Sequence, residues 1–229
     1  MSDSPTLVAA AHGTHDPAGR AAIDLLRSAV AGLRPHLNVA EAYVDEDVQQ
    51  PGLRAVLADL EAAVVVPVLL SAGYHVHVDV TDAIAAADRL SVRAARPLGP
   101  DPVLADVLAD RLAEAGVDDH SIVLAAAGSS DPRAATDVEQ VAALLTAKLG
   151  RAVKPGYAAA SRPAVKDAVR SLQATGQSVA IASYLLAPGS FHDRLRTVGA
   201  QVVTAPLLPD ARLADLVLRR YDEALATAA

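Results

Sequence analysis

Four of the seven histidines lie in two short stretches, LVAAAHGTHDP (7–17) and VLLSAGYHVHVDV (68–80). In each stretch an apolar run, typical of a buried strand, breaks into glycine and histidine. If both runs are strands of one parallel sheet, their carboxyl ends lie at one edge, and His12 and His75 can converge there. Two neutral imidazoles at one point are typical ligands of a divalent first-row metal ion. The sequence therefore predicts a metal site at this edge.

An acidic stretch after the second predicted strand could supply an oxygen ligand. The segment YVDEDVQQP, residues 43–51, contains Asp45, Glu46 and Asp47 in a row. Two histidines and one carboxylate leave coordination positions open, which a site that hands its metal ion on requires. At least one or two of the three acids are expected to be ordinary solvated residues, and the residues alone do not select which acid serves the site.

Composition restricts the class of protein. The chain has 229 residues, a formal net charge of -7, 52% hydrophobic residues and no cysteine. An acidic chain argues against nucleic acid as the main partner, and the lack of cysteine excludes disulfides, thiolate metal sites and thiol nucleophiles. The polar N-terminus is no signal peptide, and no apolar run approaches the ~20 residues of a membrane helix. We therefore expect a soluble, cytoplasmic protein that does not enter a membrane.

Strand-like and helix-like segments alternate along the first half of the chain. The strand-like segments lie near 6–11, 38–44, 62–70 and 91–96, and the helix-like segments lie near 17–34, 51–61, 79–88 and 101–115. This alternation predicts an α/β fold with a mainly parallel sheet and right-handed crossovers. We expect Asp16 to cap the first helix, before Pro17, and Asp79 to cap the third.

The same pattern starts again in the second half. Four segments recur in order: 7–17 as 122–132, 42–60 as 156–172, 62–76 as 178–192, and 94–111 as 204–220. Four matches in one order indicate a duplicated α/β unit. We predict two similar lobes, 1–117 and 118–229, each with a four-stranded mainly parallel sheet flanked by helices and facing each other across a cleft. We expect a monomer, because the two lobes can supply each other's contact.

The two repeats differ where the histidines stand. His12 is matched by Ala127, and His75 by Phe191, or by His192 if the alignment slips by one residue. An alanine at the equivalent strand end indicates that the fold does not need the His12 imidazole for packing. The acidic stretch likewise has no acidic counterpart. The divergence favours a function for the first lobe's residues over a role in the core.

The remaining histidines attract different interpretations. His36 follows a predicted helix end and His120 lies in the link between the repeats, so both are expected at the surface.

A zinc hydrolase could use His12 and His15, but a spacing of three residues on a turn is unspecific and no H-E-x-x-H motif is present. A nucleotide-binding module is disfavoured because the first loop carries Gly13 alone, without a G-x-G-x-x-G or P-loop pattern.

The ordered set of AHGTHDP, YVDEDVQQP and PVLLSAGYHVHVD resembles the sirohydrochlorin chelatases. These are the cobaltochelatase- and ferrochelatase-like enzymes of cobalamin and sirohaem synthesis, the class II chelatases. The second half resembles the degenerate repeat of their long, two-domain members. The resemblance implies a metal chelatase, a lyase that inserts a divalent ion into a tetrapyrrole without ATP and without a cofactor beyond the substrate metal ion, Fe2+ or Co2+.

The resemblance also implies roles for particular residues. His12 and His75 correspond to the family's two metal-binding histidines. The family's acid corresponds to Asp47 by its distance from the following proline, or to Asp45 by its distance from the preceding aromatic residue, because this loop is two residues longer than the family pattern. A histidine with a pKa near ~6.5 or a nearby carboxylate can accept the protons that leave the pyrrole nitrogens.

Substrate contacts are expected in the same two loops and from basic residues. The candidates in the loops are Gly13, Thr14, Gly73 and Tyr74. The sirohydrochlorin rim carries many carboxylates, so an acidic protein needs local positive charge. Arg20 is the favoured arginine, and further candidates are Arg89, Arg162 and Arg194. A non-enzymatic metal or tetrapyrrole carrier would need the same ligands and remains the alternative. Among the metals, iron and sirohaem are favoured over cobalt and nickel.

Overall fold

The computed structural model describes residues 4–73, 75–87 and 91–227, with the backbone alone for residues 75–77. The first repeat forms β1 (Thr6–Ala11), α1 (Pro17–Leu33), β2 (Val39–Tyr43), α2 (Leu53–Ala58), β3 (Ala63–Pro67), a π-helix (His75–Val80), α3 (Thr81–Ala86), β4 (Val92–Ala94) and α4 (Pro102–Glu114). The second repeat forms β5 (Ser121–Ala126), α5 (Pro132–Leu149), β6 (Val153–Tyr157), α6 (Val165–Gln173), β7 (Val179–Tyr184), α7 (Ser190–Leu195), β8 (Val202–Val203) and α8 (Ala211–Ala226). Within these residues no helix is long and apolar enough to cross a membrane.

The strands form two separate four-stranded sheets with parallel pairings. The first sheet has the order β2-β1-β3-β4 and the second the order β6-β5-β7-β8. In the first sheet Ala11 pairs with Tyr43 of β2, and Ala10 pairs with Pro67 of β3. The same order in both sheets confirms the predicted α/β fold of two similar lobes.

The central strands are covered on both faces, which explains their uninterrupted apolar sequences. On one face of the first sheet Val8 and Val65 pack against Leu53 of α2 and Ala83 of α3. The opposite face, which includes the fully buried Leu7, is covered by α1 and α8. Burying a valine or leucine side chain contributes about 1.5–3 kcal/mol. Because the side chains of β1 are small, helices on both faces of the sheet pack close to this strand, which ends at the predicted metal site.

The last helix of each repeat packs on the sheet of the other repeat. α8 contacts α1 and β3, whereas α4 contacts α5 and β7. The chain accordingly divides into a first unit, residues up to 98 with those from 210 onward, and a second unit, residues 99–209. These compact units do not coincide with the sequence repeats 1–117 and 118–229, because the helix that ends each repeat is exchanged.

An arginine on each exchanged helix binds the backbone of the unit that the helix joins. In the first unit the fully buried Arg220 donates from Nε to Pro97 O at 2.9 Å and from Nη2 to Leu98 O at 2.8 Å. In the second unit Arg111 of α4 donates from Nη2 to Leu207 O at 3.3 Å. Hydrogen bonds from a charged donor to these backbone carbonyls attach each exchanged helix to the unit that it joins.

The helix starts confirm one predicted cap and correct another. Asp16 caps α1, and its carboxylate accepts a hydrogen bond from Ala18 N at 2.8 Å. The prediction that Asp79 caps the third helix was wrong. Asp79 lies inside the π-helix, and α3 follows it directly from Thr81. The helical segment therefore begins at His75, five residues before residue 80, where a cap at Asp79 would start the helix.

Candidate functional site

The two histidines predicted to bind metal lie at the same edge of the first sheet. His12 directly follows β1 and has an exposed side chain. His75 begins the π-helix that follows β3. β1 and β3 are neighbours, since Ala10 pairs with Pro67, so both strands lead to the same carboxyl edge. The side chain of His75 lies outside the described residues, and the distance between the two imidazoles stays a prediction.

A glycine turns the chain immediately after His12. Gly13 has a φ of +104°, in the left-handed region that favours glycine. A Cβ at this position would lie 3.3 Å from Asp45 O and 3.4 Å from Gln49 Cβ. The turn therefore packs against the loop between β2 and α2, and it leaves the His12 side chain at the end of its strand.

Thr14 and Arg20 hold this turn in place. Thr14 N donates to Gln49 Oε1 at 3.1 Å, and Arg20 Nε donates to Thr14 O at 2.7 Å. Arg20 is half-buried, and its guanidinium has no other hydrogen-bond partner within the described parts of the chain. Its terminal nitrogens can therefore still meet an anion. The sequence did not single out Gln49. Its counterpart in the second repeat is Ser161, whose Oγ accepts a hydrogen bond from Ser129 N in the same way.

The three acids of the β2–α2 loop occupy different places. Asp45 is half-buried, and its N–H donates to His12 O at 3.0 Å, which places it beside the histidine. Glu46 is folded over Gly52, where any added side chain would collide with its carboxylate. Asp47 is exposed in the turn beyond it. The backbone thus brings Asp45, rather than Asp47, next to His12.

The second histidine loop is described only in part. Gly73 is buried shortly after β3. Tyr74, predicted to contact substrate, lies outside the described residues, as does Arg89. Leu98 N donates to Leu69 O at 2.9 Å and fixes the start of this loop. Among the described side chains no three His, Cys, Asp or Glu groups are arranged to hold a metal ion. The His75 imidazole lies outside the described side chains, and its part in a metal site stays a prediction.

The second repeat reproduces the turn without the side chains that are predicted to bind metal. Gly128 has a φ of +90°, like Gly13. Ala159 N donates to Ala127 O at 2.9 Å, as Asp45 N donates to His12 O in the first repeat. Alanines thus occupy the positions of the histidine and the acid on an equivalent backbone.

Backbone hydrogen bonds give the register between the two repeats just before His75. Leu207 N donates to Leu185 O at 2.9 Å, as Leu98 N donates to Leu69 O. This register aligns Leu69 with Leu185, and counting on without a gap pairs His75 with Phe191.

His192 has a structural role in the second unit. Its side chain is 4% exposed, and its Nε2 lies 2.9 Å from Thr204 O, to which it donates. It is a satisfied core histidine. Among the other histidines His36 is exposed, as predicted. His120 is half-buried instead of lying fully at the surface, and its Nδ1 is buried without a partner in the described structure.

Comparisons with known proteins agree with this architecture. The model of the CbiX family matches residues 6–115 and again residues 121–224. A curated relative, the sirohydrochlorin ferrochelatase of Priestia megaterium, is 29% identical over 149 residues, which are 61% of this chain and 56% of the relative. The match therefore spans just over half the length of that relative.

Solved structures share the fold over nearly the whole chain. SirB from Bacillus subtilis with Fe3+ has a TM-score of 0.80 and 21% identity, covering 97% of this chain and 96% of that one. SirB from Bacillus subtilis subspecies spizizenii in complex with cobalt has a TM-score of 0.74 and 17% identity, with 96% and 94% covered. CbiX, the terminal enzyme for biosynthesis of siroheme in denitrifying bacteria, has a TM-score of 0.71 and 22% identity, with 96% and 99% covered.

Proposed function

Because the chain belongs to the CbiX family, we propose that it is a sirohydrochlorin chelatase that inserts a divalent metal ion into this tetrapyrrole. The observation that carries the proposal is the arrangement at the carboxyl edge of the first sheet. His12 ends β1, His75 begins the helix after the neighbouring β3, and Asp45 is hydrogen-bonded to the backbone of His12. The second repeat keeps the backbone of this edge but has alanine in place of His12 and Asp45.

The metal ion is the substrate of the proposed reaction. His12 and His75 hold it through neutral imidazoles, with Asp45 as the third ligand or as a base. Such a set leaves coordination positions open for the nitrogens of the macrocycle, to which the ion must transfer. We propose Fe2+ as the physiological ion, with Co2+ as the other candidate. The names of the relatives, a ferrochelatase and SirB with Fe3+ or cobalt, support both.

Insertion releases two protons from pyrrole nitrogens, and a base must accept them. The half-buried Asp45 carboxylate and an imidazole freed as the ion transfers can accept one proton each. No nucleotide and no cofactor beyond the metal ion enter the proposed scheme. The protein's contribution is to hold the ion and macrocycle in the geometry that transfer requires.

Substrate contacts follow from the same loops. Arg20 is anchored through Nε to Thr14 O and keeps its terminal nitrogens for a rim carboxylate. Gly13, Thr14, Gly73 and Tyr74 belong to the two loops that carry His12 and His75, and we propose that they contact the macrocycle. We further propose that the protein acts as a monomer.

The test is anaerobic conversion of sirohydrochlorin with Fe2+ or Co2+, followed by visible absorption. We expect many equivalents of metallated product per protein, and a rate that falls below about pH 6, where protonated imidazole no longer binds metal. A carrier would yield at most one equivalent. Stoichiometric conversion, or a rate equal to that without protein, would contradict the proposal.

A further inference from the structure

One side chain of the first unit connects the two loops that carry His12 and Asp45. Gln49 Oε1 accepts a hydrogen bond from Thr14 N at 3.1 Å, and Gln49 N donates to Asp45 O at 3.1 Å. Its Cβ lies 3.4 Å from the place where a Cβ on Gly13 would stand. Gln49 therefore contacts both the turn after His12 and the loop of the proposed acid.

The hydrogen bond to Thr14 also fixes how the Gln49 amide is turned. Because a backbone N–H can only donate, the amide atom that faces it is the carbonyl oxygen. The amide nitrogen, Nε2, is therefore the other branch, and it has no hydrogen-bond partner among the residues that the structure describes. Since Gln49 is half-buried, it keeps two N–H donors for a ligand or for water.

The second repeat fastens its turn with one short side chain. Ser161, like Gln49, stands two residues before a proline. Its Oγ accepts a hydrogen bond from Ser129 N at 3.2 Å and donates one to Ser129 O at 2.8 Å. A single hydroxyl group thus binds both backbone groups of Ser129, and Ser161 keeps no N–H or O–H donor for anything else.

The first repeat uses two long side chains for the same two backbone groups. Gln49 binds the N–H of Thr14, and Arg20 Nε donates to Thr14 O at 2.7 Å. The second repeat has Ala135 at the position of Arg20. Because one serine fastens the turn there, fastening alone does not account for the two longer side chains. They differ from the serine in the donors that they leave unused, the terminal nitrogens of Arg20 and Nε2 of Gln49.

One charged and one neutral group of N–H donors match a carboxylate, which accepts through two oxygens. Arg20 forms no ion pair with an acid in the part of the chain that the structure describes. Both donor groups are bound to Thr14, two residues after His12. The proposed function places a tetrapyrrole with rim carboxylates at this loop.

We propose that Gln49 is a further substrate-binding residue, which donates through Nε2 to a rim carboxylate beside Arg20 while its Oε1 holds the turn. The inference rests on the proposed function, because it takes its ligand from there. It needs residues of the first unit alone.

Two substitutions separate the donor from the fastening of the turn. Gln49→Glu keeps the shape and the acceptor for Thr14 N but replaces the amide nitrogen with an oxygen. It should weaken binding of metal-free sirohydrochlorin about tenfold, because a donor is lost and a carboxylate is repelled, and its melting temperature should stay that of the wild type. Gln49→Met removes the acceptor as well, so it should bind more weakly than the wild type and also melt at a lower temperature.

Absorption titration measures binding, and thermal melting measures the turn. Gln140→Glu, which makes the same charge change at an exposed position of α5, is the matched control and should bind like the wild type. In metal insertion Gln49→Glu should raise KM with kcat little changed, because the contact is equally strong before and during insertion.

A change in the ligand identifies the group that Gln49 binds. The methyl ester of sirohydrochlorin lacks the carboxylates, so Gln49→Glu should bind the ester like the wild type. Arg20→Gln should show the same preference, with weaker binding of the acid and unchanged binding of the ester.

The outcomes separate this inference from the proposed function. If the wild type binds and metallates sirohydrochlorin while Gln49→Glu binds it equally well, or binds acid and ester equally weakly, the substrate contact is wrongly assigned and the function stands. If the wild type neither binds nor metallates sirohydrochlorin, the proposed function fails and the inference fails with it.

Discussion

In the first repeat Gly13 turns the chain at φ +104° after His12, and in the second Gly128 turns it at φ +90° after Ala127. Both turns receive a backbone hydrogen bond from the neighbouring loop, from Asp45 N in one case and Ala159 N in the other. The two turns therefore share a glycine with positive φ and the same backbone hydrogen bond, although the space around the two glycines differs. The turn of the second repeat forms without the histidine or the acid, and we therefore propose that both have a function in the first repeat.

The largest effect that separates the acids is expected at Asp45. Asp45→Asn should reduce metal insertion about 100-fold and Asp47→Asn less than about threefold, since residues that bind or orient a metal ligand cost 10–100-fold and exposed ones little. Steady-state rates with Fe2+ measure both. Equal losses in the two variants, or a larger loss for Asp47→Asn, would restore Asp47 as the functional acid.

Substituting Arg220 of α8 and Arg111 of α4 compares how much each exchanged helix depends on its arginine for stability. Arg220→Ala should lower the free energy of unfolding by about 3 kcal/mol, because it leaves two buried carbonyls without their charged donor. Arg111→Ala should cost about half as much, since the Arg111 side chain is 15% exposed whereas that of Arg220 is 0% exposed. Urea unfolding monitored by circular dichroism measures both. A larger loss for Arg111→Ala would contradict the account of the exchange.

The two turn glycines should respond differently to the same substitution. Gly128→Ala should destabilise by about 2–3 kcal/mol, because the new methyl group would overlap the Ala159 carbonyl and the positive φ adds strain. Gly13→Ala should cost about 1–2 kcal/mol, since its nearest contact would be at 3.3 Å. The order reverses for activity, where Gly13→Ala should slow insertion more than Gly128→Ala. Thermal melting and insertion rates on the same samples test this, and a uniform loss of both properties would contradict it.

The smallest effect on activity is expected at His192. His192→Ala removes the donor to Thr204 O and should cost about 1–3 kcal/mol of stability, with the insertion rate below the melting transition within about twofold of wild type. His36→Ala, at an exposed position, is the control for stability. A large loss of activity at full stability would show that the second repeat holds part of the metal site.

Sequence reasoning predicted the strands and helices and their order, because the same alternation of strand-like and helix-like segments occurs in both repeats. Each apolar run without alternation became a buried parallel strand, and the comparison of His12 with Ala127 marked the edge that differs. The family resemblance was confirmed by the family match.

Sequence reasoning could not predict which sheet each exchanged helix packs on. Nothing in the periodicity of α4 or α8 says which of two similar sheets the helix covers, because both sheets offer the same apolar face. The π-helix from His75 to Val80 was also missed, because Asp79 has the residue type of a cap. The sequence did not decide whether Phe191 or His192 is the counterpart of His75 in the second repeat. The hydrogen bonds to Leu69 and Leu185 give the register of the preceding residues, which favours Phe191.

The most direct test of the account compares insertion rates of wild type, His12→Ala, His75→Ala and His192→Ala with sirohydrochlorin and Fe2+ or Co2+ under anaerobic conditions. The account predicts that His12→Ala and His75→Ala lose more than about 100-fold in rate with unchanged melting temperatures, because Ala127 is tolerated at the position equivalent to His12. His192→Ala should stay active. An inactive His192→Ala beside an active His12→Ala would show that the metal is bound by the other repeat and would contradict the inference from their divergence.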